Sequence, residues 1–145
     1  MRKIIIAAVL SVFLVMPVFS LTSATVARVI DGDTIVLASG EVVRLIGVDA
    51  PEVGSPGANQ ATQFVRDRVH GQTVWLEADG RDRDVHGRLR RYVWLRQPTD
   101  PRNASQIRQH QLNALLLSNG LARVMIIGNV RNEALFRQLE QETRQ

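Results

Sequence analysis

Carboxylates and guanidiniums recur at three places in this chain: Asp31-Gly32-Asp33-Thr34, the run Arg44-Leu45-Ile46-Gly47-Val48-Asp49-Ala50-Pro51-Glu52, and His86-Gly87-Arg88. Three acids able to hold a hard metal ion and activate water, with two arginines able to grip a phosphate, form the smallest set that can hydrolyse a phosphodiester. Each motif also has a plainer reading. Asp-Gly is a common turn pair because both central positions tolerate positive φ; the turn has no need of Asp33, though, and Asp is a poor residue with which to open a strand. Asp49 and Pro51 serve to end strand pairing, yet Asp49 and Glu52 leave the sheet together, so their carboxylates can converge. Arg44 stands among Val43, Leu45, Ile46 and Val48, where a charge is costly unless paired or used; the alternative is a strand arginine facing solvent. The loop before Arg88 is charge-rich, as solvated loops are. Beyond it Arg88, Arg90, Tyr92 and Trp94 fall on one strand face, either a surface that grips phosphates and stacks bases or one whose aromatics are partly buried.

Positioning these groups takes a mainly β scaffold. Apolar and polar residues mix at strand-like spacing through 25–48, with turns at Asp31-Gly32 and Ser39-Gly40, which predicts a three-stranded meander. A loop over 53–58 follows, and Ala61, Phe64, Val65 and Val69 predict a helix over 59–70 stopped by Gly71. Two more strands are expected at 72–78 and 88–95, joined by the charged loop 79–87. A Pro-containing segment at 97–103 leads to a helix over 105–119 ended by Gly120, and Asn129 is placed to cap a third helix. The expectation is an α+β, mainly β domain: a five-stranded barrel with about three helices.

Taken together, the order and spacing of Asp-Gly-Asp-Thr, of Arg44 followed by Asp49-Ala50-Pro51-Glu52, and of Gly87-Arg88 resemble the staphylococcal nuclease-like (thermonuclease) family. The resemblance runs from about Ala24 to the C-terminus and takes in the helix-end pattern from Asn113 to Gly120-Leu121-Ala122. It implies an OB-fold barrel. It further implies Asp33, Asp49 and the Ala50 carbonyl as Ca²⁺ ligands and Arg44, Glu52 and Arg88 as the catalytic set. The implied activity is a Ca²⁺-dependent nuclease that cleaves DNA and RNA with little sequence preference, favours single strands, leaves 3′-phosphate ends and acts as a monomer. A non-catalytic nucleic-acid-binding OB module is the alternative. The chain departs from the family at His86, Ile126 and Gly128, which stand where nucleotide-pocket aromatics are found, so stacking and substrate preference there are expected to differ. The segment 97–111 is also longer than in short family members.

Composition bounds the rest. A chain of 145 residues suits one domain. Residues 1–20 read as a secretory signal peptide: Arg2 and Lys3, an apolar run broken by Ser11 and Pro17, then Val18-Phe19-Ser20 before the cut. The run is too short for a membrane anchor, which needs about 20 apolar residues. The expected product is domain 21–145, secreted or periplasmic and free of the membrane. Dropping Arg2 and Lys3 from 18 basic residues leaves 16 against 14 acidic, a net +2. That balance by itself does not reveal a nucleic-acid partner. Lys3 is the only lysine, so every other cation is an arginine, suited to bidentate phosphate contacts. The absence of cysteine excludes a disulfide framework and Cys-based zinc sites. His70, His86 and His110 are too scattered to suggest a metal site and are read as surface residues.

Overall fold

Strand β1 (Leu21–Asp31) is long because it serves two neighbours. Its first half pairs antiparallel with β5 (Thr73–Glu77), from Leu21 opposite Glu77 to Thr25 opposite Thr73; its second half pairs with β2 (Thr34–Leu37). Irregular register on either side of Arg28 and Val29 bends it around the corner, as bulges do. β2 pairs with β3 (Val42–Leu45), β3 lies parallel to β6 (Leu89–Trp94), and β6 pairs with β5, closing a five-stranded barrel in the order β1-β2-β3-β6-β5. This is the expected OB-type barrel. The computed structural model describes residues 1–5, 10–13 and 21–144. The signal-peptide reading therefore falls largely outside the described residues, and among these no helix is long and apolar enough to cross a membrane.

Inward-facing Val26, Ile35, Val43, Leu45, Val74, Leu76 and Val93 fill the barrel. Helix α1 (Ala58–Val69) lays Ala61, Val65 and Val69 against β1 and ends, as expected, at Gly71, whose φ of 72° suits a residue without a Cβ. A short pair, β4 (Val48–Asp49) with β7 (Arg123–Val124), stands outside the barrel.

The helix expected over 105–119 is two helices, α2 (Ala104–His110) and α3 (Leu112–Ser118). Gln111 between them is extended and bridges Trp94, while the His110 carbonyl accepts from the Leu95 N–H at 2.8 Å. No Gly or Pro marks this break; the barrel wall makes it. The last helix, α4 (Glu133–Glu142), begins after Asn132 rather than at Asn129. β1 also starts at Leu21, four residues ahead of the expected 25, because β5 offers it a partner there.

The Tyr92 and Trp94 face belongs to the outside of the barrel, where helices cover it. Both are fully buried: Tyr92 meets Phe136 of α4 edge-on at 6.0 Å and donates its hydroxyl to Asp79, and the Trp94 indole donates to Glu77. They are not available to stack bases.

Candidate active site

The turn that carries Asp33 is held by packing. Gly32 does not take positive φ, contrary to the hairpin reading; a Cβ there would lie 2.7 Å from the Cβ atoms of both Ala50 and Ala61. Glycine is needed so that the Asp31–Asp33 turn can touch the Asp49-Ala50 segment and α1. Gly32→Ala is expected to destabilise the fold by about 1–3 kcal/mol, as overpacking does, seen as a lower urea midpoint; an unchanged midpoint would contradict this contact.

The same approach lets Asp33, 5 % exposed, reach across the turn. Its Oδ2 accepts from the Ala50 N–H at 2.7 Å, and its Oδ1 accepts from the Thr34 hydroxyl and lies 3.3 Å from the Arg44 Nε. Burial pushes the Asp33 carboxyl above the usual aspartate range, while Arg44 and the Ala50 N–H oppose that shift.

Arg44, in β3, does not face open solvent. One terminal nitrogen donates to the carbonyls of Leu45 and Val48 at 2.8 and 2.7 Å, and the other lies 3.4 Å from Asp49 Oδ1. One guanidinium thus joins Asp33 to Asp49. The loop between β3 and β4 that makes this possible is pinned from behind: Asn113 of α3 donates to the Ile46 carbonyl at 2.8 Å and accepts from the Val93 N–H at 3.0 Å. Gly47, at φ 78°, leaves room for the Phe136 ring, which a Cβ would meet at 2.8 Å. Arg44→Met is expected to cost about 3 kcal/mol at neutral pH, because it strips a buried carboxylate of its partner. The measurement is chemical denaturation, and a loss below about 1 kcal/mol would show that the pair is not what holds Asp33.

Glu52 and Arg88 lie on different sides of this centre. Glu52 is exposed in the turn after β4, and among the described residues its carboxylate has no hydrogen bond or ion pair. It lines a hollow of about 590 Å³ together with Asp49, Ala50, Arg123 and Arg144. Arg88 lines a smaller hollow of about 190 Å³ together with Arg44, Asp84, His86 and Arg90. The Arg44–Asp49 contact is the divide between the two. Arg88 is held at its Nε by Asp84 Oδ2 at 2.6 Å. Partial burial works against the Asp84 charge, but the N–H groups of Arg88 and His86 and the Arg88 guanidinium outweigh it and keep that carboxyl below the usual range.

Of the six expected residues, Asp33, Arg44, Asp49 and Ala50 are in direct contact, whereas Glu52 and Arg88 flank them. Among the described residues no three His, Cys, Asp or Glu side chains form a metal-holding group; Asp33 and Asp49 each contact the Arg44 guanidinium, and Glu52 does not. Arg123 escaped the sequence reading. It sits opposite Asp49 in the β4–β7 ladder and donates from two nitrogens to Asp49 Oδ2, at 3.1 and 3.0 Å. Its only local signal is its place directly after Leu121-Ala122.

Comparison with known proteins gives a consistent result. A family model described as staphylococcal nuclease homologue matches residues 42–145. A thermonuclease of Staphylococcus intermedius is 43% identical over 82 residues, covering 50% of this chain and 49% of that protein. A thermonuclease of Staphylococcus hyicus is 39% identical over 79 residues, covering 48% and 47%. Protein ParB of Escherichia coli is 35% identical over 114 residues, covering 72% and 63%. The chain spans about half the length of the curated thermonucleases it matches.

Proposed function

This chain belongs to the staphylococcal nuclease homologue family, and from that premise we propose that it is an exported nuclease that hydrolyses phosphodiester bonds of DNA and RNA. In this reading it is Ca²⁺-dependent and monomeric, has little sequence preference, favours single strands and leaves 3′-phosphate ends. The observation that carries the reading is the position of Arg44, joined to Asp33 and Asp49 on the divide between one hollow holding Glu52 and another holding Arg88.

A phosphate seated on Arg44 meets a free carboxylate on one side and a second guanidinium on the other. Glu52 orients a water and takes its proton as the water oxygen attacks phosphorus. The bond from phosphorus to the 5′-oxygen breaks, the departing oxygen takes a proton from solvent, and the one Arg44 N–H not already engaged, with the terminal N–H groups of Arg88, meets the negative charge that builds on the phosphoryl and leaving oxygens. Asp84 fixes Arg88 through its Nε, which leaves the terminal nitrogens of Arg88 for this role.

The donor set fits Ca²⁺. Asp33 and Asp49 each direct an Oδ1 at the same guanidinium, at 3.3 and 3.4 Å, so two hard carboxylate oxygens converge, with Ala50 hydrogen-bonded beside them. Asp33, Asp49 and the Ala50 carbonyl would hold the ion, which would add positive charge against the phosphate oxygens.

The deciding experiment offers purified protein single-stranded DNA, duplex DNA and RNA with Ca²⁺, then tests the product ends with a 3′-phosphatase. Short fragments bearing 3′-phosphates are expected, formed fastest from single strands. Binding without cleavage of any of the three would favour the non-catalytic module.

A further inference from the structure

The outer row of β5 and β6 side chains is only partly covered. Glu77 lies opposite Tyr92 and Trp75 opposite Trp94, on one face of the sheet. Glu77, Tyr92 and Trp94 are buried, whereas Trp75, at the rim, is only half-buried.

A hollow of about 450 Å³ opens over Trp75, walled by Arg96, Gln97, Thr99, Gln106 and His110, none of them acidic. Its far wall is pinned in place. Gln106 donates its backbone N–H to Asn103 and its side-chain amide to Thr99 at 2.8 Å, and its amide oxygen accepts from the Thr99 N–H at 3.0 Å. His110 is fixed at the end of α2 by the bond from the Leu95 N–H to its carbonyl. Among the described residues neither the Arg96 guanidinium nor the His110 imidazole has a hydrogen-bond or ion-pair partner, so two sets of N–H donors border the part of the indole that lines the hollow. The segment after β6 builds this wall.

We propose that Trp75, Arg96 and His110 form a second site for single-stranded nucleic acid, in which a base stacks on the indole and a neighbouring phosphate rests on the guanidinium and imidazole. An aromatic plane beside unpaired cationic and N–H donors is the combination that holds single strands without sequence preference. The choice of ligand rests on the nuclease reading. The site itself shares no residue with either hollow at Arg44. Trp75 pairs with Ser23, eight residues along β1 from Asp31, so the site lies toward the opposite end of that strand from the Asp31–Asp33 turn. The second site thus secures a long strand and is not reached by a dinucleotide cleaved at the first.

The two tryptophans supply the test, because Trp94 is fully buried and Trp75 is not. Titrating a short oligothymidylate into Glu52→Gln protein is expected to quench tryptophan emission saturably. Trp75→Phe in that background should abolish the quenching, and Arg96→Ala should raise Kd about five- to tenfold. In otherwise unaltered protein, Trp75→Phe and Arg96→Ala should raise KM on a long single strand by a similar factor while kcat and dinucleotide cleavage stay unchanged. Absent quenching, or parental Kd and KM in Arg96→Ala, overturns the site and leaves cleavage untouched. Quenching by oligothymidylate in a protein that cleaves nothing would uphold the site and remove the nuclease reading.

Discussion

Replacing Glu52 with glutamine is expected to lower turnover on single-stranded DNA by roughly 10²-fold or more. Glutamine keeps the length and hydrogen-bonding reach of the side chain but cannot take a proton from water. The carboxylate is exposed and has no partner among the described residues, so its loss strips no hydrogen bond from the fold. Urea midpoint and single-strand affinity should therefore match the parent, which separates this variant from Arg44→Met. Parental turnover in folded Glu52→Gln protein would dismiss Glu52 as the base and promote the binding module.

Metal removal should act even more completely. Asp33 and Asp49 share the Arg44 guanidinium, and Asp49 is also held by Arg123, so without a bound ion these two arginines balance the pair. Activity is expected to vanish in excess chelator and to return with Ca²⁺; Mg²⁺, smaller and insistent on octahedral geometry, should restore less. Calorimetric titration of Ca²⁺ into the substrate-free protein gives a readout independent of cleavage. Binding should be weak, since two carboxylates and a carbonyl are few ligands, and it should be lost in Asp49→Asn. Full activity in chelator, or Ca²⁺ binding that survives Asp49→Asn, would take these residues out of the metal's reach.

The parts legible in the linear chain are those governed by neighbours a few residues away. Alternation through β1 to β3, the Ala61, Val65, Val69 stripe of α1 and its stop at Gly71 all report local backbone preference and one buried face. The chemistry-bearing motifs were legible for the same reason, since Asp33, Arg44, Asp49 and Glu52 lie on consecutive short elements.

What local pattern could not supply is whatever a distant segment imposes. The break at Gln111 comes from Trp94 and Leu95, and a helical stretch carries no mark of a strand edge waiting to pair with it. Gly32 reads as a turn former, but it is held to glycine by Ala50 and Ala61, a matter of room and not of φ. Arginines alternating with Tyr92 and Trp94 left open whether that face binds or is buried, and α3 and α4, by covering the aromatics, decide for burial.

By itself, then, the sequence determined which residue types were on hand for phosphodiester chemistry and which short elements would carry them, because those depend on side-chain chemistry and near-neighbour geometry. Only the tertiary structure decided that Arg44 joins Asp33 to Asp49, that Arg123 grips Asp49 from 74 residues away, and that Glu52 and Arg88 face separate hollows. Those relations arise when barrel closure and helix packing bring remote segments within hydrogen-bond distance, and no local preference encodes a distance between residues that meet only in the folded chain.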